Sequence, residues 1–129
     1  MPLRDDQCPC GSGSPYDLCC APILEGALAT TALALMRSRY SAFAVGRSEH
    51  LQATWHPSTR PSSIELDDGT EWRRLQIVDT VDGEELDEKG VVEFRAVYRD
   101  AAGAGVLHER SRFVRENGRW LYLDGVAGG

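Results

Sequence analysis

The sequence predicts an α+β protein, in which an N-terminal zinc knuckle precedes helices packed on a curved antiparallel sheet of about four strands. Three observations predict this fold. All four cysteines lie between positions 8 and 20, two helical patterns follow them, and the rest of the chain consists of extended segments separated by turn signals. Helices that precede a run of strands pack on one face of an antiparallel sheet. We expect the knuckle and its connector over residues 1–26 and the α+β domain over residues 27–129.

Four clustered cysteines are the candidate metal ligands: Cys8, Cys10, Cys19 and Cys20. In a reducing compartment, tightly grouped cysteines indicate a metal more often than disulfides. Zinc takes four thiolates in a tetrahedron, and the Gly/Ser-rich loop between the cysteines can turn its amides toward the sulfurs. The alternatives are two disulfides, a vicinal Cys19–Cys20 bridge, or exposed redox thiols. The prediction is one structural zinc ion.

Two helices are predicted next. From about Thr31 to Val45 the apolar residues recur at steps of three and four, a threonine is available as the N-cap, and Gly46 provides a C-terminal stop. Ser48 is expected to cap a short second helix from Glu49 to Trp55, which Pro57 closes before a Pro/Ser linker. The apolar stripe of the first helix consists of Leu33, Met36, Tyr40 and Phe43.

Extended segments follow, and Asn117-Gly118 between the last two predicts a two-residue hairpin turn. Such a turn pairs Glu116 with Arg119 and Phe113 with Tyr122, whereas a three-residue loop would reverse the pairing. The alternation then puts Ser111, Phe113, Trp120, Tyr122 and Asp124 on one sheet face, and Arg110, Arg112, Val114, Leu121 and Leu123 on the other. The four predicted strands are Trp72–Val81, Val91–Arg99, Val106–Glu116 and Arg119–Val126.

Charge and hydropathy limit the classes of partner. A net charge of −6 and a pI near 5.0 argue against broad nucleic-acid binding, which depends on many cations facing phosphates. No apolar run approaches the ~18 residues that a membrane span needs. The N-terminus has no apolar segment of the secretory kind. We expect a cytoplasmic protein without a membrane partner.

Arginines and aromatic residues recur together in several segments, and if these converged they would form an anion-accepting pocket with aromatic walls. His56 is the first candidate for a titrating group, because imidazole titrates nearest to neutrality, although a structural role at a helix end is the commoner one for such a histidine. Glu71, Glu109 and Asp124 are candidate carboxylate partners. No catalytic triad, phosphate loop or HExxH motif is present. The candidate pocket residues are Arg37, Arg39, Tyr40, Trp55, His56, Trp72, Arg110, Ser111, Arg112, Phe113, Trp120, Tyr122 and Asp124.

The cysteine segment closely resembles the SEC-C motif at the C-terminus of the SecA translocation ATPase. Both have CPCGSG, and eight residues separate its second cysteine, here Cys10, from the second ligand pair, here Cys19 and Cys20. The resemblance implies that all four cysteines are zinc ligands. In SecA the motif binds partners through a lysine-rich loop, but the corresponding segment here, residues 14–18, has no lysine. The resemblance therefore implies the ligands and not the partner.

Over nearly its whole length the chain resembles the YchJ family of small bacterial proteins. The matching motifs are the knuckle, LMRSRYSAF at 35–43, TWHP at 54–57, ERSRF at 109–113 and GxWxYxDG at 118–125. The resemblance implies a SEC-C zinc motif followed by a domain similar to the cone-shaped fold of nuclear transport factor 2. It implies no activity, because the family is largely uncharacterised.

Domains of that shape enclose a cavity between helices and sheet, and they serve as binding modules and as enzymes. The prediction is a non-catalytic binding or adaptor module whose aromatic- and arginine-rich pocket or surface recognises a small molecule or a protein. The first alternative is a small lyase or isomerase with His56 or Asp124 as the base, and Tyr40, Tyr122 or an arginine beside the developing oxyanion. The second alternative is a thiol redox sensor. A homodimer formed through a sheet face is a further expectation.

Overall fold

The fold combines a small N-terminal knuckle, three helices and one antiparallel sheet. The computed structural model describes residues 7–64, 66 and 69–127. The strands form a meander in the order β1-β2-β3-β4, which confirms the predicted α+β class. The elements are a 3-10 turn at Tyr16–Leu18, α1 (Cys20–Leu24), α2 (Ala32–Val45), α3 (Ser48–Ala53), β1 (Glu71–Asp82), β2 (Lys89–Asp100), β3 (Gly103–Glu116) and β4 (Arg119–Ala127).

Helix α2 is the central helix, and its ends follow the sequence signals. Thr31 caps it by accepting a hydrogen bond from the amide of Ala34, and Gly46 ends it in the left-handed conformation, with φ of 80°, which glycine adopts at little cost. The Ala32 amide also donates to the Gly83 carbonyl, at 3.0 Å. The start of α2 is thereby fixed to the turn between β1 and β2.

The buried surface of α2 is wider than the predicted stripe. Met36 and Tyr40 are buried as expected, whereas Leu33 is only half-buried. Ser38 and Ser41, which the periodicity placed outside the stripe, are fully buried. The reason is that α2 is covered twice, by the sheet on one side and by the knuckle and α3 on the other.

Short elements flank α2 where a plain connector and a capped helix were expected. Part of the connector forms α1, because Pro22 lies in its first turn, where the amide that proline lacks is not needed. Ser48 begins α3 as its first residue, and its side chain is not the cap that was predicted. Helix α3 ends at Ala53, two residues before Trp55, because the chain there turns toward β4.

The turn between β3 and β4 has the predicted register as far as Tyr122. Asn117 and Gly118 both have positive φ, 53° and 77°, as a type I′ hairpin requires. The pairs Glu116 with Arg119 and Phe113 with Tyr122 are confirmed. The strands begin or end up to three residues beyond the predicted limits, with the largest differences at the starts of β2 and β3.

The face assigned to Asp124 is wrong, because a bulge follows Tyr122. Arg112 pairs with Asp124 and leaves Leu123 as the extra residue. An extra residue reverses the alternation of faces beyond it. Asp124 therefore lies on the outer face with Arg112, whose Nε and Nη2 donate to the two carboxylate oxygens at 2.6 and 2.5 Å.

The inner face of the sheet and α2 enclose the main core, which also contains the N-terminal cysteines. Across the described ranges 7–64, 66 and 69–127, the helices are all too short or too polar to cross a lipid bilayer. Buried hydrophobic residues of the core include Leu35, Met36, Tyr40, Leu75, Val92, Phe94, Ala96, Phe113 and Trp120.

Candidate metal centre and ligand cavity

A tight loop and the start of α1 bring the four cysteines together. The Cys8 amide donates to the Ser14 carbonyl at 3.0 Å, and the Gly11 amide donates to the Cys8 carbonyl at 3.2 Å. Gly11 has φ of 78°, a conformation that favours glycine. Cys19 and Cys20 follow directly on the 3-10 turn. The chain thus folds back so that both cysteine pairs face one point.

The four sulfurs form a compact group that can hold a metal ion. All four Sγ atoms lie within 4.8 Å of one another. The Cys10 and Cys19 sulfurs are 3.6 Å apart, and those of Cys19 and Cys20 are 3.9 Å apart. Cys8, Cys10 and Cys20 are at most 2% exposed, while Cys19 is half-buried. The Ser12 hydroxyl lies 3.1 Å from the Cys19 sulfur and can donate to it.

Hydrogen bonding within the cluster favours a thiolate. A hydrogen bond from the Cys20 side chain lowers the pKa of the Cys10 thiol, against the opposing effect of burial. The same contact raises the pKa of Cys20, since that thiol is the donor. A thiolate is the form of cysteine that binds metals.

The knuckle is docked on the main domain through α2. The Cys8 sulfur lies 3.6 Å from the Ser41 hydroxyl, and Arg37 Nη1 donates to the Cys10 carbonyl at 2.9 Å. Arg37, which was predicted to line a pocket, therefore contacts the knuckle. Because three of the cysteines belong to the same buried cluster as Leu35 and Tyr40, the metal-site cysteines and the core of the domain share one interior.

A second candidate site is a cavity of about 180 Å³ between α2 and the inner face of the sheet. It is mostly apolar, and two charged residues reach it from opposite sides: Arg39 from α2 and Glu109 from β3. Three of the predicted pocket residues line it, namely Arg39, Trp55 and Tyr122. The complete lining is Met36, Arg39, Phe43, Trp55, Phe94, Leu107, Glu109 and Tyr122.

Arg39 is a charged residue at a core position of α2, only 4% exposed. Its Nη1 donates to the Leu51 carbonyl at 3.0 Å and to the Thr54 hydroxyl at 2.8 Å. Its guanidinium carbon lies 5.1 Å from the centroid of the Trp55 ring and 4.6 Å from that of Tyr122, so both rings contribute cation–π attraction. Burial lowers the pKa of Arg39 to about 10, and the group stays cationic at neutral pH.

Backbone pairing fixes the aromatic clamp around Arg39. The His56 amide donates to the Tyr122 carbonyl and the Tyr122 amide donates to the Thr54 carbonyl, both at 2.8 Å. This short parallel bridge places the Trp55 ring edge-on to Tyr122, with the centroids 5.1 Å apart. Trp55 Nε1 is buried and has no hydrogen-bond partner among the described residues.

Glu109 faces the same cavity and is held by hydroxyl groups. Ser111 donates to Glu109 Oε2 at 2.5 Å, and the Tyr122 hydroxyl lies 3.4 Å from both carboxylate oxygens. Burial, and secondarily the nearby Glu109 carboxylate, raise the pKa of Tyr122, which keeps this hydroxyl a donor. Gly125 leaves room for the carboxylate, because a Cβ there would lie 2.4 Å from Glu109 Cδ.

The remaining predicted pocket residues lie elsewhere. Tyr40 and Trp72 belong to a neighbouring aromatic cluster, with ring centroids 6.1 Å apart, and burial raises the pKa of Tyr40 to about 12. Phe113 packs behind Tyr122. Trp120 is buried further along the core, where its Nε1 donates to the Thr30 carbonyl.

Neither candidate catalytic base faces the cavity. His56 Nε2 lies 2.9 Å from Glu116, and its Nδ1 lies 2.7 Å from the Ser58 hydroxyl. Asp124 is on the outer face, where the Arg112 guanidinium lowers the pKa of its carboxyl. Arg110 also lies there, paired with Asp79 and Glu93 at 3.0 and 2.9 Å. Asp124 and Arg110 thus form ion pairs on the outer face, and His56 is hydrogen-bonded at the end of the β3–β4 hairpin.

A larger, half-open cavity of about 290 Å³ lies between the connector, α3 and the start of β4. Its polar lining includes His50, which is buried and hydrogen-bonded to Ser38, and the exposed side chain of Glu49, which pairs with Arg47. Since these groups already have partners in the protein, this cavity is the weaker candidate for a binding site.

Sequence reasoning assigned Glu109 only as a possible carboxylate partner, and it missed Thr54, Phe94 and Leu107. The sequence did contain a signal for Glu109 and Thr54. Arg39 lies three and four residues from Met36 and Phe43 within the apolar stripe, and a charge at such a position needs partners nearby. No signal identified Phe94 or Leu107, because their place in the cavity depends on strand register.

Comparisons with known proteins agree with this architecture. The family model described as "YchJ, middle NTF2-like domain" matches residues 31–125. A UPF0225 protein of Streptomyces coelicolor is 51% identical over 119 residues, 92% of this chain and 93% of that protein. A UPF0225 protein of Corynebacterium glutamicum is 48% identical over 120 residues, 92% of this chain and 95% of that protein.

Solved structures are similar as well. The solution structure of a SEC-C motif containing protein from Rhodopseudomonas palustris has a TM-score of 0.82 at 32% identity, covering 95% of this chain and 98% of that one. The crystal structure of a SEC-C motif containing protein from Psychrobacter arcticus has a TM-score of 0.74 at 28% identity, covering 95% and 82%. Together with the family model and the relatives, these matches show that the chain belongs to the YchJ family, also named UPF0225.

Proposed function

We propose that this protein is a zinc-stabilised, non-catalytic binding module that takes a small molecule in the cavity between α2 and the sheet. The observation that carries the proposal is Arg39. A guanidinium almost completely buried, stacked between two aromatic rings and with only one of its nitrogens hydrogen-bonded within the described residues, is costly to desolvate. Its position in the wall of a cavity supports a ligand-binding role.

The proposed metal is zinc, with Cys8, Cys10, Cys19 and Cys20 as ligands. Zn–S bonds of about 2.3 Å in a tetrahedron place neighbouring sulfurs about 3.8 Å apart. The observed separations of 3.6 and 3.9 Å fit that geometry. Bound zinc would neutralise thiolates and tie the loop to the start of α1. Because all four donors come from the protein, the proposed site leaves no position for a substrate, as in structural zinc sites.

Two other functions were considered from the sequence. A lyase or isomerase would need a base in the cavity, and its two named candidates, His56 and Asp124, have ion-pair partners outside it. The redox sensor stays a prediction. Three of its four sulfurs are buried, so oxidant would reach Cys19 first. A protein partner and a homodimer likewise stay predictions.

Metal content tests the first half of the proposal. Protein purified without added zinc is expected to contain one zinc ion per chain, measured by inductively coupled plasma mass spectrometry. Cys20→Ser should lose the zinc and destabilise the whole domain, by about 4 kcal/mol or more, as loss of a structural metal does. The exposed Ser14→Ala is the matched control. Full stability of metal-free protein would contradict the structural role.

A fragment screen on the zinc-loaded full chain tests the second half. Small molecules that bind should perturb the NMR amide signals of α2 and of β3 and β4 around the cavity. Leu107 is 43% exposed and lines the cavity, so Leu107→Trp should block these perturbations without disrupting the core. Leu86→Trp, at a side chain 89% exposed and outside the cavity lining, is the control. Binding that survives Leu107→Trp would place the site elsewhere and overturn the proposal.

A further inference from the structure

The cavity contains opposite charges that form no direct ion pair with each other. Among the described residues, the nearest influences on the Arg39 charge are Tyr122 and Glu109, and neither donates or accepts a hydrogen bond with it. Arg39 and Glu109 both contact Tyr122. The Arg39 guanidinium carbon lies over its ring, 4.6 Å from the centroid, and the Tyr122 hydroxyl is 3.4 Å from the Glu109 oxygens. A cation over the face of one aromatic ring and an anion beside the hydroxyl of the same ring are thus held near each other.

Both charged groups are held rigidly. Arg39 is fixed by two hydrogen bonds to α3 and the residue that follows it, and by two rings. Glu109 is held by a hydrogen bond from Ser111, which is completely buried. Its carboxylate lies against Gly125, where a side chain would not fit. Fixed, partly desolvated charges interact strongly with a ligand, because the protein does not need to reorganise around it.

The charges decide which ligands fit. A simple acid would pair with Arg39 but be repelled by Glu109. A simple amine would pair with Glu109 but be repelled by Arg39. A zwitterion satisfies both groups at once. The rest of the lining is apolar, from Met36, Phe43 and Phe94, and the volume of about 180 Å³ suits a metabolite rather than a drug-sized molecule.

We propose that the cavity binds a free α-amino acid with an apolar side chain, its carboxylate on Arg39 and its ammonium on Glu109. The unpartnered Trp55 Nε1 provides a further donor for the carboxylate, and the side chain packs on Met36, Phe43 and Phe94. This assignment rests on the proposed function, since it names the ligand class of the same cavity. Arg39 supplies a planar pair of donors that matches a carboxylate.

The test is calorimetric titration of the zinc-loaded full chain with free alanine, valine, leucine, methionine and phenylalanine. The best of these is compared with three analogues, which lack the ammonium, the carboxylate or both; for leucine they are 4-methylpentanoate, 3-methylbutylamine and 3-methylbutanol. Each single deletion is expected to weaken binding at least about tenfold, because a charge-assisted hydrogen bond is lost. An analogue that binds as tightly as the amino acid would overturn the zwitterion assignment and leave the binding module intact.

Variants separate the two ends of the ligand. Glu109→Gln keeps the size and the Ser111 contact, and should weaken the amino acid about tenfold or more while strengthening 4-methylpentanoate. Arg39→Lys should weaken the amino acid and the acid but not the amine. Glu71→Gln is the matched surface control. If no amino acid binds while the fragment screen succeeds, the ligand class is wrong; if both fail, the proposed function is wrong as well.

Discussion

Arg37 on α2 donates a hydrogen bond of 2.9 Å to the carbonyl oxygen of Cys10 in the knuckle. This contact connects the backbone of a proposed zinc ligand to the central helix of the domain. Charged donors to a buried carbonyl contribute more than neutral ones. The stability of the metal site and that of the domain are therefore expected to depend on each other.

The first prediction is that Arg37→Ala loosens the knuckle. It should lower the free energy of unfolding by about 1.5–3 kcal/mol, the range for a charged hydrogen bond, and speed zinc transfer to a colorimetric chelator. Arg73→Ala is the control, because its partner among the described residues is Glu71, in an exposed pair, and such pairs contribute about 0–1 kcal/mol. Equal zinc transfer rates in both variants would contradict the docking role of Arg37.

The second prediction concerns Gly125. In Gly125→Ala the new Cβ would lie 2.4 Å from Glu109 Cδ, so the carboxylate must move away from Ser111. Because only the end of one long side chain has to move, the loss of stability should be modest, about 1–2 kcal/mol, whereas amino-acid binding in the cavity should fall about tenfold. In a Glu109→Ala background the clash is absent, and Gly125→Ala should then cost little. Strict additivity of the two changes would show that they do not interact.

The third prediction concerns pH. Burial, assisted by the nearby Arg39 charge, lowers the pKa of His50 to about 4 in the folded protein, against about 6.5 in an unfolded chain. Between these values the unfolded chain binds the proton and the folded one does not, so stability falls as pH drops from about 6.5 toward 4. The Ser38 hydroxyl donates its one hydrogen to the Leu35 carbonyl. In the hydrogen bond between Ser38 and His50, the donor is therefore His50 Nε2.

His50→Gln keeps a donor for Ser38 and removes the titration. Its free energy of unfolding, measured with the zinc-loaded protein between pH 5 and 7, should vary less with pH than that of the unchanged protein. At pH 8, where the histidine is neutral in both states, the difference between the two should no longer change with pH. An identical pH dependence in both proteins would rule out His50 as the source.

The fourth prediction is that the residues first considered as bases are dispensable for binding. His56→Gln removes a hydrogen bond to Glu116 and Asp124→Asn removes the ion pair with Arg112, both outside the cavity, so stability should change by no more than about 1 kcal/mol. Zinc content and the NMR response to cavity ligands should stay as they are. Loss of ligand binding in either variant would contradict this prediction and would indicate that the ligand binds at the outer face or at the hairpin end.

Local features of the fold were predicted well, because they depend on residues close in the chain. The Thr31 cap, the Gly46 stop and the Asn117-Gly118 turn each rest on backbone conformations that a few neighbouring side chains decide. The register that follows from the turn was correct until the bulge at Leu123. A bulge depends on how a strand bends over its neighbours, and no residue type in this strand predicts its position.

The sequence by itself determined the parts of the molecule: four cysteines spaced closely enough to form one cluster, one helix with an arginine in its apolar stripe, and four strands in a meander. Only the tertiary structure decided which charges meet. Arg39 and Glu109 are 70 positions apart in the chain, and they face one cavity because α2 packs against β1, β2 and β4 while β3, which carries Glu109, pairs with β2 and β4. Helix packing and strand register bring these two side chains to the same cavity, and both depend on many weak contacts between segments that are distant in the chain.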